Sequence, residues 1–538
     1  MSLAPQNSTV PQPRSGDVGT GRPWSLLLCL FVVIWATETS AQEQAEAGSK
    51  PKFIGYTKCA DCHEKPTQPR IKKGSTEWVQ LTEAATWLKN DKHAQAYEQL
   101  THEDVKKWAA LIGIKEPTAD PRCVSCHCNE PPGGSHIDDF DRTQGVGCES
   151  CHGAGSDYKD PHEFPSWRTK TAAEKQDKFG MVDVRNPSQR IRQCLSCHLG
   201  NVKQGKILTH QMYAAGHPPL TGFEVETFVS RMPPHWLYLE EKLAKLTDKE
   251  QAKTICDLLG YQPRDLHGVK SVVIGGVETL RLSVELAEAQ AKMVTAEGGW
   301  PDFAQYDCAM CHHELELPSW RQRRSTGGRP GVPDQRVWPH VLVELGIRHV
   351  ARGNPDEMRR LAGEFRKRFE TLGGLFRAGP FAGARDKEKL AAAGHDLSTW
   401  LDEHVATPLQ ACRYRGEEAL ELLRDLCDLA QGPNLDFDSA RQVVWAFDAI
   451  FTAFAEKPSA KSNDSVRIRL DKLAGDLHVQ LPMPPSAEEL IGNDKVQNEP
   501  EKKSDYQKRP TLAVRGGDDP DAFRRGFAEL AKLLSSGP

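Results

Sequence analysis

The sequence predicts a mainly α-helical protein with much irregular loop, in which a cysteine- and histidine-rich module packs against a C-terminal helical bundle. Three observations favour this fold class. Five Cys-x-x-Cys-His motifs are spread over residues 59 to 312. Apolar residues recur at helical spacing after residue 355, where no such motif occurs. Loops are predicted after the first motif, with Pro66 and Pro69, and after the fifth, with a Gly-Gly pair and Pro330.

Length and composition limit the possible classes of protein. The 538 residues leave room for two or three domains. Hydrophobic residues make up 38% and charged residues 27%, which is typical of a somewhat polar, soluble protein. The formal net charge is −5, so we expect no nucleic-acid partner.

The N-terminus has the features of an export signal, and residues 1–41 are predicted to be a signal peptide. Arg14 and Arg22 precede the apolar run 26–35, and small residues near Ala41 offer a cleavage site. The run is shorter than the roughly 20 residues that span a bilayer. An uncleaved anchor is the alternative. The predicted location of the mature protein is the periplasm.

The five motifs have the spacing of c-type haem attachment sites. In such a site two cysteine thiols bind the vinyl groups of one haem, and the adjacent histidine becomes the proximal iron ligand. A zinc site or a redox disulfide would explain paired cysteines, but neither explains a histidine directly after all five pairs. We therefore predict five covalently bound c-type haems. The motif residues are Cys59, Cys62 and His63; Cys123, Cys126 and His127; Cys148, Cys151 and His152; Cys194, Cys197 and His198; and Cys308, Cys311 and His312.

The first part of the motif-containing region resembles the cytochrome c-554 family of multihaem electron carriers. The likeness rests on Gly-x-x-x-Cys-x-x-Cys-His at the first motif, Lys-His-Ala-x-Ala-Tyr at 92–97, and Gly-Val-Gly-Cys-Glu-Ser-Cys-His-Gly-Ala-Gly-Ser-x-Tyr at 145–158. It covers residues 53–200 of a predicted pentahaem cytochrome domain at 53–350. The family's type member carries four haems, so the fifth motif and the C-terminal region are additions. The resemblance implies a multihaem electron carrier without specifying a redox partner.

A second axial ligand, most often His or Met, is usual for electron-transfer haems. The resemblance implies that His93 is one, and we expect a helix from about residue 77 to 100 to hold it. Glycine beside a histidine lets the backbone approach the porphyrin, and proline stiffens it, which favours His217 and then His210. His162 and His340 complete the set of predicted distal ligands, with His136 as an alternative to His162.

Helical spacing continues between and after the last motifs. Residues 234–259 and 268–292 are predicted helices, the second with a weak point at Gly275 and Gly276. A haem-free four-helix bundle is predicted at 355–456. Residues 457–518 are rich in Pro, Lys, Asp and Asn and are predicted to be a disordered linker. A short amphipathic helix at 519–535 closes the chain.

The function that follows is a periplasmic pentahaem c-type cytochrome that carries electrons between a protein donor and acceptor through closely spaced haems. The adjacent motifs at Cys123 and Cys148 predict one tightly coupled haem pair. The alternative is an oxidoreductase acting on a small nitrogen or sulfur compound at one five-coordinate haem. A third hypothesis is a haem module of a soluble or membrane-bound respiratory complex. No catalytic residue is predicted outside the haem ligands.

Overall fold

The protein is described from a computed structural model. It describes residues 51–65, 79–129, 135–293, 302–312, 332–336, 338–382, 387–432, 435–455, 464–476 and 520–535. The predicted signal peptide therefore lies outside the described residues, as does most of the predicted linker. Within the described part the structure is helical with irregular connections and isolated β-bridges, which confirms the predicted fold class. No helix in these ranges is both long and apolar enough to cross a membrane.

The region that carries the first four motifs consists of short helices. Their bounds are α1 Tyr56–His63, α2 Glu83–Asn90, α3 Glu103–Leu111, α4 Pro121–His127, α5 Cys148–His152, α6 Ala172–Phe179, α7 Pro187–His198, α8 His210–Ala215, α9 Val225–Val229, α10 Leu239–Ala244 and α11 Lys249–Leu259. Single 3₁₀ turns lie between them at Lys92–Gln95, Glu98–Thr101, Arg142–Gln144, Pro161–Glu163, Pro165–Thr169 and Val202–Gln204. Two helices thus replace the one predicted at 234–259.

Longer helices form the second half of the chain. They are α12 His267–Lys292, α13 Val343–Val350, α14 Pro355–Ala382, α15 Lys387–Leu401, α16 Thr407–Ala411, α17 Gly416–Leu429, α18 Phe437–Ala455, α19 Asp464–Asp476 and α20 Pro520–Ser535. A π-helical turn, Asp402–Ala406, joins α15 to α16. The 3₁₀ turns Phe303–Gln305, Cys308–Met310 and Trp338–His340 precede α13.

Helix α12 lies between the two halves. On one side it packs against α7 and α9, and on the other against α13, α15 and α18. Two of its glycines, Gly275 and Gly276, permit close approach by different neighbours. A Cβ at Gly275 would lie 2.7 Å from Val225 Cγ1, and one at Gly276 would lie 2.5 Å from Leu342 Cβ. The glycines that weaken helix propensity are thus the positions where both halves approach the helix backbone most closely.

The largest hydrophobic core joins α12 to the C-terminal helices and includes Phe447, Phe451 and Phe527. The predicted bundle at 355–456 therefore shares its core with α12, which the sequence placed in the cytochrome domain. Helix α19 also belongs to this core, although it falls within the predicted disordered linker. Its Val466, Leu470 and Leu473 are buried, and the helix packs against α20.

Candidate haem sites

The haem-attachment motifs lie at the ends of helices. Helices α1, α4, α5 and α7 each end at the histidine of their motif. Residues three or four apart share one face of a helix, so both cysteines and the histidine are presented to the same side. The local sequence favours these helix starts. Pro121 and Pro187 occupy first-turn positions, and the side chains of Asp120 and Asn186 accept hydrogen bonds from Arg122 N (2.9 Å) and Gln189 N (3.2 Å).

Four of the motif histidines face a second histidine from another part of the chain. The ring centres are 6.1 Å apart for His63 and His162, 6.2 Å for His198 and His93, 6.5 Å for His127 and His217, and 6.1 Å for His312 and His210. An imidazole nitrogen binds a metal at about 2.0–2.1 Å, so two imidazoles on opposite sides of one iron have ring centres roughly 6 Å apart. The four pairs therefore fit axial ligation of one haem iron each.

Hydrogen bonds orient the rings of these pairs. The Nδ1 atoms of His63 and His93 lie 3.0 Å from Glu83 Oε2 and 2.9 Å from Asp91 Oδ1. Main-chain carbonyls take the same place for three others: His127 Nδ1 lies 2.8 Å from Ala96 O, His162 Nδ1 lies 3.0 Å from Tyr158 O, and His217 Nδ1 lies 2.8 Å from Pro218 O. An Nδ1–H that donates to such an acceptor leaves Nε2 free to bind a metal.

The electrostatic environment favours the neutral imidazole at several of these sites. Burial lowers the pKa of His198 and of His217 to about 4, and it also lowers the pKa of His162. His93 differs: burial lowers its pKa, but the hydrogen bond to Asp91 and the charges of Asp91 and Cys197 together outweigh burial, and the net shift is upward. Neutral imidazole is the form that binds iron, so buried rings are suited to ligation.

The structure supports the predicted position of His93 but not its predicted element. The expected helix at 77–100 ends at Asn90, and His93 lies in the 3₁₀ turn Lys92–Gln95. Asp91 has an extended backbone, and its side chain accepts a hydrogen bond from His93 N at 3.0 Å. Because this side chain competes for backbone donors, it ends the α-helix and begins the turn.

His340 and His136 occupy other surroundings. The ring of His340 stacks on Phe369 with 4.6 Å between ring centres, and His136 stacks on Phe140 at 5.1 Å. The structure thus places His340, the last of the predicted distal ligands, against a side chain of α14.

His235, which the sequence analysis overlooked, lies near the third motif. Burial, and after it the charge of His235, lowers the pKa of His152 to about 4. His235 Nδ1 lies 3.2 Å from Pro233 O, an arrangement like that of His217 and Pro218. The next residue is anchored, since Gln80 Nε2 donates to Trp236 O at 3.0 Å. In the sequence, His235 directly follows two prolines, in the reverse of the order His217-Pro-Pro. This pattern could have identified His235 as a candidate ligand.

Cysteine contacts show which motifs are neighbours in space. A hydrogen bond between the thiols of Cys59 and Cys148 raises the pKa of Cys59 and lowers that of Cys148. A second one, between Cys126 and Cys197, raises the pKa of Cys126 and lowers that of Cys197 to about 5. The first motif is thus in contact with the third and the second with the fourth, whereas the sequence predicted a pair of the second and third.

Comparison with known proteins agrees with this geometry. Residues 58–153, which contain the first three motifs, match the family model described as cytochrome c554 and c-prime. This part of the chain is therefore similar to the cytochrome c-554 family. The chain is also similar to cytochrome c-554 of Nitrosomonas europaea, with 27% identity over 180 residues that make up 32% of this chain and 68% of that protein. No solved structure matches the chain.

This similarity, together with the attachment motifs, supports a c-type cytochrome that binds haem iron and takes part in electron transfer. The family match ends at Gly153, just after the third motif. The fourth and fifth motifs and the long C-terminal helices lie beyond it.

Proposed function

We propose that this chain is a pentahaem electron carrier. The observation that carries the proposal is the set of four histidine pairs, each at a spacing suited to one iron and each containing a motif histidine. The remaining motif histidine, His152 of the third motif, has its pKa lowered to about 4 by burial and by the charge of His235. Haem, when bound, supplies one-electron chemistry; the chain attaches it, ligates its iron and sets its surroundings.

The ten motif cysteines would attach the five haems, and the five motif histidines would be proximal ligands. His162, His217, His93 and His210 would be the distal ligands for the first, second, fourth and fifth haems. For the third haem we propose His235, in place of His340, because its Nδ1 is oriented by a carbonyl and because it lies near His152.

We also propose that the protein is exported to the periplasm and exchanges electrons with protein partners. The support is the apolar run after Arg22 in the sequence and the c-type attachment motifs themselves. The contacts between the thiols of the first and third motifs, and of the second and fourth, favour electron transfer between neighbouring haems.

Two measurements on the purified protein test this function. Its intact mass should exceed that of the processed polypeptide by five haems. The EPR spectrum of the oxidised protein should show five low-spin irons. A mass increase of four haems or fewer would contradict the proposed stoichiometry.

The same spectrum separates the carrier from the oxidoreductase alternative. A spectrum with four low-spin irons and one high-spin iron that binds nitric oxide would indicate one haem with a free coordination position. The third haem is the site to examine, because its proposed ligands, His152 and His235, are not one of the four histidine pairs described above. Loss of His235 should then leave the spectrum unchanged, whereas under our proposal it converts one iron to high spin.

A further inference from the structure

A buried carboxylate lies where the first and third motifs meet. Glu149, the residue after Cys148, is 2% exposed. Its Oε1 accepts hydrogen bonds from Ile54 N at 2.9 Å and Gly155 N at 2.7 Å. Its Oε2 accepts from Gly55 N at 2.8 Å and Asn129 Nδ2 at 3.2 Å. Four donors thus converge on one side chain inside the protein.

These donors connect the two motifs. Gly55 is the N-cap of α1, so the carboxylate sits at the N-terminus of the helix that carries the first motif. Gly155 follows the third motif, and a Cβ there would lie 2.8 Å from Ile54 Cδ1 and 3.0 Å from Glu149 Oε1. This close contact explains why glycine occupies that position beside the carboxylate.

The partners of Glu149 favour its charged form. Burial raises the pKa of this carboxyl above its ordinary value, although the N–H groups of Ile54, Gly55 and Gly155 oppose the shift. A protonated carboxyl would direct a donor at groups that are themselves donors. The four donors therefore select the carboxylate, whose negative charge lies close to Cys59 and Cys148.

The second and fourth motifs have a cation in the corresponding place. The loop that contains Gly205 and Lys206 packs against both motifs. Ser125 Oγ, inside the second motif, donates to Gly205 O at 3.3 Å, and Lys206 Nζ donates to Ser196 Oγ, inside the fourth, at 3.1 Å. The Lys206 charge acts on both Cys126 and Cys197.

We infer that these opposite charges separate the haems into two pairs of different reduction potential. Glu149 would favour the oxidised form of haems held by the first and third motifs, and Lys206 would favour the reduced form of haems held by the second and fourth. The first pair would therefore have the lower potentials and would donate electrons to the second pair. This inference rests on the proposed function, since it requires haem at all four motifs.

A spectroelectrochemical titration of the intact holoprotein tests the inference. Glu149→Gln should raise the two lowest midpoint potentials and leave the others in place. Lys206→Gln should lower two of the higher potentials, and Lys206→Arg should leave them unchanged. Glu418→Gln is the matched control, because it removes a buried carboxylate from α17, in the helical region. It should shift no potential.

The outcomes decide between the explanations. The inference is overturned if Glu149→Gln and Lys206→Gln shift the midpoint potentials in the same direction, or if neither variant shifts them. Intact mass shows whether each variant holds five haems. If Glu149→Gln does not assemble, Lys206→Gln decides: lowered potentials support the inference and unchanged potentials refute it. A parent protein with too few haems would instead refute the proposed function.

Discussion

The haem-binding region and the C-terminal helical region are stabilised in different ways. In the helical region one large core buries Phe447, Ile450 and Leu345 almost completely. Around the second motif the hydrophobic cluster consists of Leu100, Val124 and Cys128, and α1 buries no residue fully. The helices of the haem region are also short, five to twelve residues each.

This difference indicates what each region needs in order to fold. Short helices are marginal without tertiary packing, and the small separate clusters of this region offset less of the conformational entropy of so many loops than one large core does. We therefore expect the haem macrocycles to supply most of the apolar contacts in the first region. The helical region needs no contacts from haem in order to fold, and α12 connects the two regions.

The largest expected effect is that of withholding haem. In protein produced without haem attachment, residues 53 to about 230 should not fold, while the core formed by α12 to α18 should persist. Limited proteolysis followed by mass spectrometry should then recover a fragment containing α12 to α18. Equal resistance of both regions, or equal degradation, would show that they do not differ in this way.

A core substitution in the helical region should destabilise that region and leave the haem spectrum unchanged. Phe447 is fully buried, and Phe447→Ala should lower the free energy of unfolding by about 3–5 kcal/mol. Ile468→Ala, at a side chain 68% exposed, is the control and should change it by less than about 0.5 kcal/mol. Denaturant titration measures both, and the visible spectrum before unfolding should match that of the parent. A lost low-spin signal would mean that the regions are coupled.

The pH dependence of stability should differ between two buried glutamates. Burial raises the pKa of Glu224, beside α9, to about 7 from an ordinary 4.5. The folded state therefore holds a proton that the unfolded chain releases, so stability falls as pH rises from about 4.5 to 7, by at most about 3 kcal/mol. Unfolding free energies at pH 5 and pH 8 should show that Glu224→Gln removes this decline.

The pKa of Glu418, on α17, is shifted in the opposite direction to that of Glu224. Burial raises its pKa, but backbone hydrogen bonds and Arg352 outweigh burial, so the folded state lowers it. It therefore stabilises the fold above its unfolded pKa, and the stabilisation is lost as pH falls. Glu418→Gln should leave the decline between pH 4.5 and 7 in place. If Glu418→Gln also removed the decline of stability with pH, the decline could not be assigned to Glu224.

The most local effect is expected at His93. His93→Ala removes the ring opposite His198 and should convert one low-spin iron to a high-spin iron that binds carbon monoxide. The fold and the other irons should be unaffected. His395→Ala, at an exposed side chain of α15, makes the same chemical change away from the haem region. Identical EPR spectra for the two variants would show that His93 is not a ligand.

The sequence predicted the long C-terminal helices because their apolar spacing is local. Helices α14 to α18 lie within the region 355–456, where the bundle was predicted. It also predicted His93, His162, His210 and His217 as distal ligands, and the structure places each of them opposite a motif histidine. It did not predict which motif each would face, because that depends on contacts between distant segments.

Other features were beyond a local pattern. His235 and the Glu149 contacts depend on distant segments, such as Ile54 and Asn129, meeting in the folded chain. The turn at His93 depends on one aspartate side chain competing with helical hydrogen bonds. Helix α19 could not be inferred from its polar surroundings in the sequence, since its buried residues are stabilised by α20.

The order of the histidine pairs along the chain has a consequence for biosynthesis. The N-terminus is synthesised first, so with the proposed ligands the first haem would have one protein ligand until His162 is made, and the second would wait for His217. His93 is already present when the fourth motif is made, so the histidine pair of that site is complete with His198. The fourth site is therefore complete in the growing chain before the second.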